Sequence, residues 1–348
     1  MRIDRLKETA TKQNKPDVFA VFNATNITYL TGFQGAVALL IPEQGQNVLF
    51  VNSVNYEQAK AEVKDTQVQL LKRGENIMDI IAQHVSGRLA VDTLSIESWR
   101  ALAKAVGNEE KLESINQLIR GLRAVKDEKE IRLIREACRI ADEGIKAAAQ
   151  TIKAGVTERE VATEAEYAMR KAGSDGVAFE TIAVCGVCCA YPHGGAEHRT
   201  ISEDDFVIVD LGATHKFYRS DITRTFIAGK PNQKQTKIYE TVKLAHQRAL
   251  ESIKPHVLTR EADLVARQII EAAGMGKFFV HNLGHGVGLE IHEAPILGPD
   301  SRDIFEVGNV VTNEPGVYVP GYGGVRIEDT VLVTENGAEK LTKAAYTL

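Results

Sequence analysis

With 348 residues, 44% of them hydrophobic and 26% charged, the chain has apolar material for more than one core and the polar surface of an ordinary globular protein. Its net charge of −5 lacks the basic excess that a phosphate backbone demands, so nucleic acid is not an expected partner. The stretch Met1 to Asp17 is polar and mixed in charge, and the aliphatic run Ala36 to Ile41 is too short to span a bilayer; no membrane association and a cytoplasmic address are expected.

In chain order, Val18 to Phe22, Ala36 to Ile41 and Val48 to Val51 predict strands, and Asn76 to His84 and Ile96 to Ala105 predict helices. This alternation predicts a small α/β domain over residues 1–122. Near Gly121 the texture changes. Lys126-Asp127-Glu128-Lys129-Glu130 precedes Ile131, Ile134, Ala137, Cys138 and Ala141 at helical spacing, which predicts a linker and the first helix of a second domain over 123–348.

Inside that second domain a pattern recurs at an offset of about a hundred residues. Ile152 to Thr157 leads into a helix ending near Gly173, and Ile253 to Thr259 leads into one ending near Gly274. In both copies a threonine, Thr157 or Thr259, can cap the next helix, and Glu160 completes a capping box in the first. Strand-like segments follow each helix pair: Phe206 to Leu211 and Asp221 to Ile227, then Val310 to Glu314 and Val325 to Val333. Two similar halves could therefore enclose one site between them.

The chemistry concentrates in these segments. Phe206-Val207-Ile208-Val209-Asp210-Leu211-Gly212 is a buried-strand pattern broken by one carboxylate, and a core strand rarely buries an unpaired charge. Strand alternation puts Asp221, Thr223 and Thr225 on one face, so Asp210 and Asp221 can point into one cleft from neighbouring strands. Gly284-His285-Gly286-Val287-Gly288 surrounds a histidine with residues lacking side chains, a setting that lets a metal or substrate approach the backbone. His281 and His292 lie close by in a chain with nine histidines. Pro315 holds Glu314 extended. In Val325 to Thr330, alternation places Arg326, Glu328 and Thr330 on one face, so Arg326 can orient a carboxylate ligand or bind a substrate carboxylate. Tyr191-Pro192-His193-Gly194 puts a further histidine on a turn.

Asp210, Asp221, His285, Glu314 and Glu328 form a hard, oxygen-rich donor set suited to paired Mn, Co, Fe or Zn. Four converging carboxylates would carry about −4, which two divalent cations cancel. Other hydrolytic patterns fail: His292-Glu293-Ala294-Pro295-Ile296 lacks the second histidine of a zincin helix, and no Gly-x-Ser-x-Gly elbow is present. Three of the four cysteines, Cys185, Cys188 and Cys189, are packed together and read as free thiols used for packing.

The segments VIVDLGA, YRSDITRTF, HNLGHGVGLEIHEAP, TNEPGVY and GGVRIEDT resemble the metal-dependent Xaa-Pro peptidases of the pita-bread fold, the M24 family of prolidases and aminopeptidases P. Asn26 to Phe33 also resembles the creatinase-type domain that precedes them. The resemblance implies an α/β N-terminal creatinase-like domain followed by an α+β pita-bread catalytic domain with pseudo-twofold halves. It further implies that Asp210 binds one of two metals, that Asp221 and Glu328 bridge both, and that His285 and Glu314 complete the other. By the same resemblance Glu314, His193 and His292 are catalytic, His193, His281, His292 and Arg326 surround the substrate, and the protein forms a homodimer. The family often carries small serine- and glycine-type residues where this chain has Cys185 to Ala190. The expected reaction is hydrolysis of the Xaa-Pro bond of dipeptides at a dinuclear centre favouring Mn or Co, with Glu314 as proton relay. Its alternatives are an aminopeptidase P acting on longer peptides with proline second and a non-catalytic binding module on the same fold.

Overall fold

The computed structural model describes residues 2–16 and 18–348. The chain divides into two compact units between Arg123 and Ala124.

The first unit contains α1 (Arg2–Lys12), β1 (Val18–Val21), α2 (Ala24–Thr31), β2 (Ala38–Ile41), β3 (Val48–Val51), α3 (Ser53–Glu62), β4 (Gln67–Leu70), α4 (Ile77–Ala82), β5 (Leu89–Val91), α5 (Ile96–Val106) and β6 (Leu112–Ser114), and α6 (Asn116–Ala124) runs to the division. Its strands form one mixed sheet in the order β4-β3-β2-β1-β5-β6. The aliphatic residues of β2, β3 and β5 and those of β1 after Val18 are buried there with Ile81 and Leu102 of the helices. Strand β1 stops at Val21, one residue short of expectation, because the buried carboxylate of Asp92 accepts from the Phe22 and Asn23 backbone N–H groups at 2.7 and 3.0 Å and turns the chain. Asn23 then caps α2 by accepting from the Asn26 N–H, and Gly32 closes that helix at φ 77°, a conformation other residues adopt only with strain. Helix α4 starts one residue later than expected because Asn76 is its cap, bonded to the Met78 N–H, and it ends at Ala82.

The second unit carries α7 (Glu128–Thr151), α8 (Glu158–Lys171), β7 (Gly176–Val177), β8 (Ile182–Cys185), β9 (Phe206–Leu211), β10 (Ala213–His215), β11 (Tyr218–Arg219), β12 (Ile222–Ile227), α9 (Gln233–Ser252), α10 (Thr259–Ala272), β13 (Gly284–Gly286), β14 (Glu293–Leu297), β15 (Val310–Asn313), β16 (Gly316–Val319), β17 (Gly323–Arg326), β18 (Asp329–Thr334) and β19 (Gly337–Lys340). It is built of two helix pairs, α7 with α8 and α9 with α10, each followed by antiparallel strands: β12-β9-β8 in the first half and β14-β13-β15-β18-β19 in the second. None of the described helices is long and apolar enough to cross a membrane.

The expected linker is structural rather than solvated. Lys126 donates its backbone N–H to Gly308 O, and its buried ammonium lies 3.2 Å from Glu293. Asp127 and Glu130 form a reciprocal capping box on α7. Thr157 and Glu160 do the same on α8, as the sequence predicts. Thr259 does not cap its helix: Leu258 occupies that position without a side-chain bond, and the Thr259 hydroxyl instead bonds Ile296 O at 2.6 Å and Ser301 at 2.9 Å.

Strand β9 serves two cores by alternation. Val207, Val209 and Leu211 pack with α7 and α8, whereas Phe206 and Ile208 pack with the second half, and Asp210 continues that second face. In β12, Ile222 and Phe226 join the first core. The expected strand Val325 to Val333 is two strands. β17 pairs with β16 and β18 pairs with β15, and the chain crosses between sheets at Ile327 and Glu328, where the Glu328 N–H donates to Thr223 O at 3.1 Å.

Candidate metal centre

Asp210 and Asp221 stand at one end of the β9–β12 ladder, where Asp210 opposes Thr223 and Leu211 opposes Ile222. Gly212 permits the tight return between them: a Cβ there would lie 2.1 Å from Ser220 O. Asp221 is fixed through its backbone, because Thr330 Oγ1 accepts from its N–H at 3.1 Å and donates to its carbonyl at 2.7 Å. Its carboxylate is left to face the cluster.

His285 sits in the centre of β13, between β14 and β15. The flanking glycines have a different purpose from the expected one. A Cβ on Gly284 would lie 2.2 Å from Thr312 O, and one on Gly286 would lie 2.1 Å from Ala294 O. They are small so that neighbouring strands can close on β13, and the histidine is positioned by that crowding. Thr312 Oγ1 accepts from the His285 N–H and donates to Glu314 Oε1, each at 3.0 Å, tying two donors of the cluster to one hydroxyl. The Glu314 N–H bonds Leu283 O at 2.9 Å, and Pro315 follows it.

Single donor atoms of Asp221, His285 and Glu328 all lie within 4.8 Å of one another. His285 Nε2 is also 3.3 Å from Glu314 Oε1. Thr223 Oγ1 donates to Glu328 Oε2 at 2.6 Å. Arg326 is buried and makes four bonds inside the fold: Nε to Thr223 Oγ1, Nη1 to Tyr318 Oη and Pro192 O, and Nη2 to Asp210 Oδ2 at 2.5 Å. This geometry favours orienting Asp210 over the expected capture of a substrate carboxylate. Asp210 Oδ1 is buried and has no hydrogen-bond partner.

The electrostatics follow from burial. Burial, then the charges of Glu328, Asp210 and Glu314, hold the Asp221 carboxyl far above the usual range; burial, then Glu314 and Asp210, do the same to Glu328. Asp210 is raised chiefly by burial, against the pull of Arg326. For Glu314, burial is outweighed by the bond and charge of His285, and its carboxyl falls to about 2. His285 is raised, because the Glu314 contact outweighs its burial. Without cations, burial and mutual repulsion favour the protonated forms of Asp221 and Glu328. An orphaned buried oxygen and four crowded carboxylates are what a pair of divalent cations would satisfy, so the donor set fits such a pair.

The remaining expected residues lie around this cluster at different depths. The His292 ring is exposed and meets the His285 ring at 4.3 Å between centroids. His281 Nε2 is 2.9 Å from Tyr318 Oη, and burial lowers its pKa. His193 is on an exposed turn, and the carbonyl before it is the one Arg326 holds. Cys185 and Cys189 are buried, the latter with Sγ 3.1 Å from Val184 O, while Cys188 lies 2.8 Å from Arg199 Nη1. Sequence reasoning missed Tyr318, which joins His281 to Arg326, and the hydroxyls of Thr223 and Thr312; the period of β12 did signal Thr223 by placing it on the Asp221 face.

The sequence pattern of metallopeptidase family M24 matches residues 132–335, and that of the creatinase/prolidase N-terminal domain matches residues 2–125. The chain belongs to metallopeptidase family M24. Within that family it is 41% identical over 337 residues to the Xaa-Pro dipeptidase of Pyrococcus furiosus, covering 95% of this chain and 94% of the relative. The structure of the prolidase from Pyrococcus horikoshii OT3 superimposes with a TM-score of 0.92 at 38% identity, covering 99% of each chain. That of the X-Pro aminopeptidase from Thermotoga maritima gives 0.90 at 34% identity, covering 100% of each. These likenesses establish the creatinase-like domain, the pita-bread domain and the class of enzyme, a metal-dependent peptidase.

Proposed function

We propose that this M24 peptidase hydrolyses the Xaa-Pro bond of dipeptides, with Asp210, Asp221, His285, Glu314 and Glu328 holding two divalent cations, Mn or Co. The observation that carries the reading is the convergence of Asp221, His285 and Glu328 from both halves of the second unit, with Glu314 3.3 Å from His285, and it is supported by the buried, unpartnered Oδ1 of Asp210. Bound cations would supply Lewis acidity and a water activated near neutral pH. The chain's own residues do the rest. Arg326 and Thr223 hold Asp210 and Glu328 in place, each through a charge-assisted bond. Glu314, kept anionic beside His285, is the group suited to take a proton from water and pass it to the departing proline nitrogen. We assign His281, His292 and His193 to the substrate side, where imidazoles can bond the carbonyl and terminal groups of a peptide whose proline nitrogen offers no N–H. We expect a cytoplasmic homodimer, which sedimentation would check.

The likeness to an X-Pro aminopeptidase favours a second reading, cleavage of longer peptides with proline in second place. Hydrolysis of Ala-Pro, Gly-Pro and Ala-Pro-Ala by protein loaded with Mn, Co or Zn separates the two. Dipeptide cleavage is expected; cleavage of the tripeptide alone would move the assignment to the aminopeptidase, and inactivity on all three would remove the peptidase reading.

A further inference from the structure

Behind the metal centre lies a second buried charged group that the proposed chemistry does not use. Arg224, on β12, is 1% exposed and is the largest fully buried side chain. Its guanidinium makes six bonds: Nη1 to Glu328 O at 2.6 Å and Thr223 O at 2.9 Å, Nη2 to Asp329 Oδ1 and Ala344 O, each at 2.8 Å, and Nε to the Ala344 and Ala345 carbonyls, each at 3.2 Å. It therefore grips the backbone on both sides of the Thr223–Glu328 side-chain bond.

Arg224 is held in turn by the C-terminal segment. Asp329 accepts from Thr342 Oγ1 at 2.6 Å and from the Tyr346 hydroxyl, and lies 3.1 Å from His246 Nε2. The Tyr346 ring lies under the guanidinium at 4.5 Å. Asp142 on α7 accepts the Lys343 and Ala344 N–H groups, at distances from 2.8 to 2.9 Å, and fixes the tail on its outer side. Glu328 sits where the chain crosses between two sheets and no strand ladder holds it. Its direction is set by Thr223 in front and by Arg224 behind.

We infer that Arg224 is a positioning residue for the metal centre, and that residues 342–346 are a strap whose docking onto Arg224 aims the Glu328 carboxylate. This rests on the reading of Glu328 as a metal ligand. The guanidinium fork is essential to it: lysine keeps the charge but cannot reach the Glu328, Asp329 and Ala344 oxygens together.

The test is Mn2+ titration of the metal-free, full-length protein by calorimetry, with thermal melting of the same samples. Arg224→Lys should weaken one Mn2+ site roughly 10–100-fold, the usual effect of losing a group that orients a ligand. Tyr346→Phe, which keeps the ring and removes one bond to Asp329, should weaken the same site by a smaller factor and provides the answer if Arg224→Lys fails to fold. Ile81→Val, a core change in the first unit that touches neither the strap nor the cluster, should lower the melting temperature and leave Mn2+ affinity unchanged. Wild-type affinity in Arg224→Lys, or in Tyr346→Phe where only that variant folds, would overturn the inference and leave the ligand reading standing. Wild-type affinity in Glu328→Gln would overturn both.

Discussion

The hydroxyl of Thr223 donates a hydrogen bond to the Glu328 carboxyl and accepts one from Arg326 Nε, so a single oxygen joins two buried ionisable groups. Valine has nearly the same shape and neither capability. Thr223→Val should therefore leave a carboxylate oxygen and a guanidinium N–H without partners, at a cost of about 1–3 kcal/mol. Urea unfolding of the metal-free protein measures this; a change within error would mean that water replaces the hydroxyl. In the first unit, Asp92 is a comparable hub, since its carboxylate accepts from Phe22 N, Asn23 N and Asn26 Nδ2. Burial raises its pKa despite those bonds, so the site is costly to charge, yet Asp92→Ala should still destabilise by roughly 2–3 kcal/mol because three donors lose their acceptor. Chemical denaturation would read that loss directly.

At the scale of elements, two threonines at equivalent places in the two halves should respond differently to the same change. Thr157→Ala removes a cap from α8 and should cost about 1 kcal/mol with little effect on the strands. Thr259→Ala removes two bonds to the Ile296–Ser301 turn, so its effect should appear as faster amide exchange in that turn while α10 stays protected. The contrast explains what the sequence could and could not convey. Thr157 was legible because its partner, Glu160, is three residues away and the whole interaction is local. Thr259 has no such residue in place, and its hydroxyl answers to a turn nearly forty residues on. The same logic applies to the centre. Strand period signalled Asp210, Asp221 and Thr223, but the single strand it predicted over Val325 to Val333 is two, and Arg326, Glu328 and Thr330 are gathered instead by their bonds to Thr223 and Asp221. Arg224 was not legible: a charged residue in a strand reads as solvated until its partners, spread from Thr223 to Ala345, are seen around it.

At the scale of the molecule, the donors come from both halves of the second unit, so cations bound there stabilise the folded state at the expense of the unfolded one. Chelation should lower the melting temperature near neutral pH, the stabilisation lost being roughly 2.7 kcal/mol for a site at about 100 times its Kd. Calorimetry before and after chelator treatment checks it, and an unchanged transition would count against a buried tetracarboxylate centre. The crowding around β13 has a further result, for how such a protein can diverge. Positions 284 and 286 touch backbone oxygens that no mutation can shorten, so Gly286→Ala should fail to give soluble protein while the exposed His292 and His193 turns tolerate exchange. New substrate preferences in descendants of this chain are thus expected to be written in the rim, around an interior that inheritance cannot revise one residue at a time.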